Sequence, residues 1–172
     1  MRCSVLLSYG VCLVKTIVVG ISDMKASNNP DDVLITYSLG SCLGLVLYDP
    51  VARVAGMLHC MLPLSSIDPQ KARQNPYMFV DTGVPLLFKE VYALGAQKKR
   101  IIVKAVGCSS LLDEKEFFKI GERNFTVLRK LLWKNDILIE KQDVGGNISR
   151  TVSIAVSNGR VVVKSGGKET EL

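Results

Sequence analysis

The 172-residue chain carries a formal net charge of +6, is 48% hydrophobic, and contains five cysteines and one histidine. That length suits one domain with a substantial core, and the apolar share excludes a disordered chain. An odd cysteine count with no CxxC pair excludes a disulfide framework and a clustered structural zinc site, and implies a reducing cytoplasm. The basic residues are scattered and not interleaved with aromatics, which reads as a solvated surface rather than a nucleic-acid platform.

Arg2 followed by the apolar run Cys3 to Val14 has the outline of a short signal peptide, but no small-residue cleavage site follows. Ser8, Gly10 and Lys15 also interrupt the run, so it falls short of the roughly 20 apolar residues that a spanning helix needs. Residues 1–15 are therefore expected to be an N-terminal extension, either an extra strand or an unstructured leader, with no membrane insertion. Short β-rich segments follow at Thr16–Ser22, Val33–Tyr37, Leu43–Tyr48 and Arg53–Met61. Asp49-Pro50-Val51-Ala52 has type I turn chemistry, so the last two segments form a hairpin.

Pro63 to Pro76 is polar and proline-punctuated and reads as a mobile loop. Val84, Leu87, Phe88, Val91 and Leu94 recur at helical spacing, with the helix starting at Asn75-Pro76 or near Asp81. Lys98-Lys99-Arg100 looks like a helix C-terminus offsetting the dipole. Arg100–Val106 is a buried-type strand, and Gly121–Lys134 is a second helix with Val127, Leu128, Leu131 and Leu132 on its apolar face. Strands are expected at Ile137–Gln142, Thr151–Val156 and Arg160–Lys164, the last two joined by a hairpin at Asn158-Gly159. Residues 165–172 read as a frayed tail, leaving 16–164 as one domain. Many strands with two interrupting helices give a mixed α/β layered sandwich.

Chemistry concentrates in Ser38-Leu39-Gly40-Ser41-Cys42, a small turn ending on a thiol. A turn with ends at Asp49 and Ala52 pairs Tyr48 with Arg53, and the same register carried along the ladder sets Cys42 opposite His59, the only histidine. An imidazole beside a thiol can take its proton, giving a thiolate–imidazolium pair, and can return a proton to a leaving amine. Gly40 and Ser41 allow close backbone approach, and their N–H groups are candidates for an oxyanion site. Thr36 is the nearest hydroxyl able to orient the imidazole. Against this stand two plain alternatives: a cysteine that is only a small buried hydrophobe, and a histidine that is a hydrogen-bonded core residue. Cys60 falls on the opposite face and belongs to the core; Cys3, Cys12 and Cys108 have no nameable base in reach.

The stretch Thr36-Tyr37-Ser38-Leu39-Gly40-Ser41-Cys42 through His59-Cys60-Met61-Leu62-Pro63 resembles the signature of the chemoreceptor glutamine deamidases, the CheD family. The resemblance continues through VDTGVPLL, KAVGCSS, IGERN and DVGGNISRTV, and covers about residues 16 to 164. It implies a three-layer α/β sandwich with mixed sheets, related to the deamidase toxins of the cytotoxic necrotizing factor type. It also implies that Cys42 is the nucleophile, His59 its acid/base partner and Thr36 the supporting hydroxyl, with no cofactor and no metal. The implied reaction converts glutamines on the cytoplasmic helical bundle of methyl-accepting chemoreceptors to glutamate, in chemotaxis adaptation. A CheC-type phosphatase of the response regulator is an implied partner. Ser38, Cys108 and Ser149 stand where family members usually carry glycine. Two other readings share these residues: a binding module that regulates the phosphatase with little or no catalysis, and a general cysteine hydrolase such as a protease.

Overall fold

In the computed structural model, which describes residues 14–110 and 119–172, ten strands and three helices follow one another along the chain. They are β1 (Lys15–Val18), β2 (Asp23–Ser27), β3 (Asp32–Leu39), β4 (Leu43–Asp49), β5 (Val54–Cys60), α1 (Pro69–Gln74), α2 (Val80–Ala93), β6 (Ile102–Gly107), α3 (Ile120–Lys134), β7 (Lys141–Val144), β8 (Arg150–Ala155), β9 (Val161–Ser165) and β10 (Lys168–Glu171). Every residue of β4 and β5 is buried, so both faces of this hairpin need cover. One face receives the helices: Leu43, Leu45, Leu47, Leu58 and Cys60 pack with Val84, Leu87 and Val91 of α2 and Leu128 and Leu132 of α3. The other receives a second sheet: Val46, Tyr48, Ala55 and Met57 pack with Leu34, Val152, Ile154, Val161 and Val163. Alternation along each strand thus feeds two cores from one hairpin.

The inner sheet runs β2-β5-β4-β6-β7 and the outer sheet β1-β3-β8-β9-β10. Both are mixed, because β1 runs parallel to β3 and β7 parallel to β6, while the other pairs are antiparallel. Helices, inner sheet and outer sheet form three layers, the architecture expected from the sequence.

Several local expectations need correction. The β4–β5 connection is not a two-residue turn: Asp49 pairs with Val54, not Tyr48 with Arg53. The Asp49 carboxylate accepts from the Val51 and Ala52 N–H groups at 2.9 and 3.0 Å, and Arg53 then takes a left-handed φ of 51°. A side-chain-capped turn followed by a left-handed residue lengthens the loop to four residues and shifts the ladder by two. The segment between Pro63 and Pro76 contains α1, because Asp68 caps Lys71 N–H at 3.0 Å and Pro69 occupies the first helical position. α2 starts at Val80, near the later of the two expected starts, with Pro85 inside it. Lys98–Arg100 forms a separate 3-10 turn beyond α2, and Arg100 pairs with Asp49 while its Nη2 also donates to Gly95 O at 3.5 Å, just past the end of α2. The strand expected at 137–142 is β7 at Lys141–Val144. Ile137 and Ile139 are used instead in the crossover that a parallel β6–β7 pair requires, packed against the helical core.

The tail is not frayed: Lys168–Glu171 form β10 against β9, and the Leu172 N–H donates to Val161 O at 3.0 Å. Expectations for residues 1–13, including Cys3 and Cys12, lie outside the described residues. Among the described residues no helix is long and apolar enough to cross a membrane.

Candidate active site

β3 belongs to the outer sheet and β4 to the inner one, so Gly40-Ser41-Cys42 is the short link by which the chain crosses between layers. The link is tied down by its carbonyls. The Ser109 N–H donates to Gly40 O at 2.8 Å, and the Cys108 N–H donates to Cys42 O at 2.7 Å. Both donors lie just beyond β6, which ends on Gly107 at φ 98°, and Cys108 itself adopts φ 54°. A side chain at Gly107 would collide with the Cys42 carbonyl, so only glycine lets the two segments meet. Among the described residues neither the Gly40 nor the Ser41 N–H donates to a backbone carbonyl.

The two-residue register shift changes the opposition but not the side. His59 faces Gly44, not Cys42 as the sequence reading had it. Because side chains alternate with period two, Cys42 still belongs to the face of Gly44 and His59, and it packs partly buried against the inter-sheet core. Cys42 stands one residue before β4 and His59 one residue before the end of β5, so the thiol-bearing link and the imidazole lie at the same end of the β4–β5 ladder.

His59 is fully buried between the sheets. Its Nδ1 lies 2.8 Å from Thr36 Oγ1, across the layer boundary from β3. The same hydroxyl donates its only proton to the Val19 carbonyl at 2.7 Å. Having spent that proton, Thr36 Oγ1 must accept from His59, which places the imidazole proton on Nδ1 and a lone pair on Nε2. Nε2 is buried and has no hydrogen-bond partner. An orphaned acceptor in a protein interior costs about 1–3 kcal/mol. The structure therefore holds at Nε2 an unspent basic lone pair on the face that carries the Cys42 thiol.

Burial sets the resting charge state. It pushes His59 down from its ordinary 6.5 to about 4. It also raises the Cys42 thiol, partly offset by a hydrogen bond from the thiol's own backbone N–H. Both shifts favour the neutral pair over the standing thiolate–imidazolium pair anticipated from sequence. A neutral imidazole keeps the Nε2 lone pair available to a proton donor. The remaining described thiols are quieter. Cys60 is fully buried on the helix-facing side, and burial raises Cys108 to about 12. Cys108 is packed and buried. Among the described residues no group of three or more His, Cys, Asp or Glu is arranged to hold a metal ion.

Sequence reasoning named Thr36, Gly40, Ser41, Cys42 and His59, and the structure places all five where β3, β4 and β5 converge. It missed Asn124 of α3, which donates to the Ser41 and Met61 carbonyls at 3.0 Å each. The IGERN stretch was visible, but nothing in one helix face reveals that its asparagine reaches a loop 83 residues away. It also missed Arg150, buried with an ion pair to Asp143 at 2.8 Å and a bond to Ser109 Oγ at 2.7 Å, which anchors the segment that pins Gly40.

Comparison with known proteins agrees with this architecture. Residues 61–165 match the family described as "CheD chemotactic sensory transduction". The "Probable chemoreceptor glutamine deamidase CheD 1" of Syntrophus aciditrophicus is 52% identical over 151 residues, covering 88% of this chain and 94% of the relative. The "Probable chemoreceptor glutamine deamidase CheD" of Solibacter usitatus is 48% identical over 92% of this chain and 94% of its own. The protein of the same description from Pyrococcus horikoshii is 41% identical over 86% and 91%. With half the residues shared along nearly the whole length, this chain belongs to the CheD family.

Proposed function

We propose that this protein is a chemoreceptor glutamine deamidase that acts in chemotaxis adaptation in the cytoplasm, with Cys42 as nucleophile and His59 as acid and base. The observation that carries this reading is the unpartnered, buried His59 Nε2, held in the basic tautomer by Thr36 on the face that bears Cys42. In the first step Nε2 takes the thiol proton as Cys42 Sγ attacks the glutamine Cδ, and the free N–H groups of Gly40 and Ser41 receive the developing oxyanion. The imidazolium returns the proton to the departing nitrogen, ammonia leaves and a thioester remains. A water molecule, deprotonated by the same Nε2, then hydrolyses the thioester to glutamate and free thiol. The burial that keeps His59 neutral keeps it ready to act as the base, since an imidazole already charged could not accept a proton.

Names carried by relatives supply the substrate class: a chemoreceptor, whose exposed glutamines lie on its cytoplasmic helical bundle. The CheC-type phosphatase partner belongs to the same proposal, and a pull-down with the Cys42→Ala form tests it apart from catalysis. The decisive experiment incubates a purified receptor cytoplasmic fragment with wild type and with Cys42→Ala, following ammonia release and intact mass. Wild type should release ammonia and convert amide to acid without chain cleavage, and Cys42→Ala should do neither. Ammonia release by Cys42→Ala at the wild-type rate would sink the assignment, and fragmentation of the receptor would point to a protease.

A further inference from the structure

We infer that Asn124 is a positioning residue that locks the thiol-bearing link to the histidine strand, so that Cys42 and His59 share one fixed geometry. This inference rests on the reading of Cys42 and His59 as the reacting pair. Asn124 is fully buried, and its Nδ2 donates both protons, one to Ser41 O and one to Met61 O, each at 3.0 Å. Two carbonyl acceptors fix the amide orientation, because only the NH2 end can serve both. Ser41 precedes Cys42 by one residue, and Met61 follows His59 by two. One side chain therefore bridges the two segments that carry the chemistry, at the open end of the β4–β5 ladder beyond Leu43↔Cys60.

The bridge has a rigid foundation. α3 begins at Ile120, and a Cβ at Gly121 would collide with the carbonyls of Cys108 and Ser109. α3 is thus pressed against the same segment whose N–H groups hold Gly40 and Cys42. The carbonyls of Gly40, Ser41 and Cys42 are all engaged by neighbouring structure, and among the described residues Asn124 supplies the only side-chain donor of the three. Its own Oδ1 is buried and has no hydrogen-bond partner among the described residues.

Positioning acts through another pair, so it predicts non-additivity. The test measures the rate at which iodoacetamide alkylates Cys42, by mass spectrometry, in wild type, Asn124→Ala, His59→Ala and the double variant. His59→Ala should slow alkylation about tenfold or more, and Asn124→Ala should slow it similarly in the wild-type background but by less than twofold when His59 is absent. Asn124→Asp, which keeps the shape and loses the paired donors, should repeat the pattern if the alanine form does not fold. Leu128→Ala, one turn along the same buried face, serves as a stability control: it should lower the melting temperature and leave alkylation unchanged. Equal slowing by the Asn124 variants with and without His59, or equal slowing by Leu128→Ala, overturns the inference. Alkylation that ignores His59 in the wild-type background instead overturns the Cys42–His59 reading beneath it.

Discussion

Thr36 Oγ1 stands 2.8 Å from His59 Nδ1 and 2.7 Å from the Val19 carbonyl oxygen, so a single hydroxyl passes a structural constraint from the outer sheet into the imidazole. Its proton goes to Val19 and its lone pair to His59, an order that cannot be reversed while Val19 O remains an acceptor. Thr36→Val keeps the volume and removes this order, leaving Nδ1–H without a partner and Nε2 free to exchange roles with it. A neutral hydrogen bond contributes about 1 kcal/mol, so kcat for deamidation is expected to fall about fivefold with little change in KM. Thr36→Ser, which retains the hydroxyl, should recover most of the rate. Equal loss in both variants would show that the methyl packing, not the hydroxyl, matters.

The depressed pKa of His59 links proton binding to stability. In the unfolded chain the imidazole binds its proton below its ordinary 6.5, whereas in the folded protein burial delays protonation to about 4. Between these values the unfolded state holds more protons, so stability is complete above about 6.5 and is lost as pH falls toward 4. From pH 7.5 to pH 4.5 the loss from this group should be about 2 to 3 kcal/mol. Urea unfolding of wild type and His59→Gln at both values isolates it, because all other titrations are common to the two proteins. An identical pH dependence in the two proteins would mean that the imidazole titrates in the fold as it does in the unfolded chain.

The layered architecture and the candidate site residues drew on different signals in the sequence. The β-rich segments 43–48 and 53–61 around Asp49-Pro50 signalled a hairpin, whose burial on both faces only the structure reveals, and the single histidine was the one candidate imidazole for the thiol. What sequence could not supply was the length of the β4–β5 loop, because Asp49 combines a turn cap with a tertiary ion pair to Arg100 that no local rule foresees. The error was two residues, an even number, so the facing of Cys42 and His59 survived while their direct opposition did not. β7 was misplaced because Ile137-Leu138-Ile139 has β character but lies in the crossover, with Leu138 exposed. Asn124 and Arg150 were invisible as site supports, since each acts over a long sequence separation.

Asp49 itself is expected to be among the most costly surface-remote positions to alter. It is fully buried, with the Arg100 Nη2 at 2.8 Å and the Gln97, Val51 and Ala52 N–H groups at 2.8, 2.9 and 3.0 Å. Burial alone would raise its pKa, but Arg100 and these N–H donors outweigh that and hold the carboxylate well below its usual range. Asp49→Asn leaves Arg100 without a counter-charge and strands at least one donor, so unfolding free energy should fall by about 3 kcal/mol. Denaturant unfolding reads this directly. A loss below about 1 kcal/mol would show that the loop re-forms around asparagine.

The serine that opens the thiol motif has a conformational explanation. Ser38 adopts φ 56°, within the irregularity where the β3–β8 ladder shifts register between Thr36 and Leu39. A left-handed conformation costs an L-residue about 1–2 kcal/mol, which is why glycine suits this position. Cys108, at φ 54°, occupies the second such site, whereas Ser149 has no positive φ. The Ser38 side chain is exposed and its hydroxyl has no partner among the described residues, so removing it forfeits no hydrogen bond there. Against the strain relieved stands the extra freedom of glycine in the unfolded chain, about 0.4–1 kcal/mol. Ser38→Gly should therefore stabilise by up to about 1 kcal/mol, and Ser38→Val, with a branched Cβ in the same conformation, should destabilise by more than about 1 kcal/mol. Denaturant unfolding of the two variants against wild type decides the matter: a clear loss of stability in the glycine form would mean that the serine, not the backbone, sets the energetics of this turn.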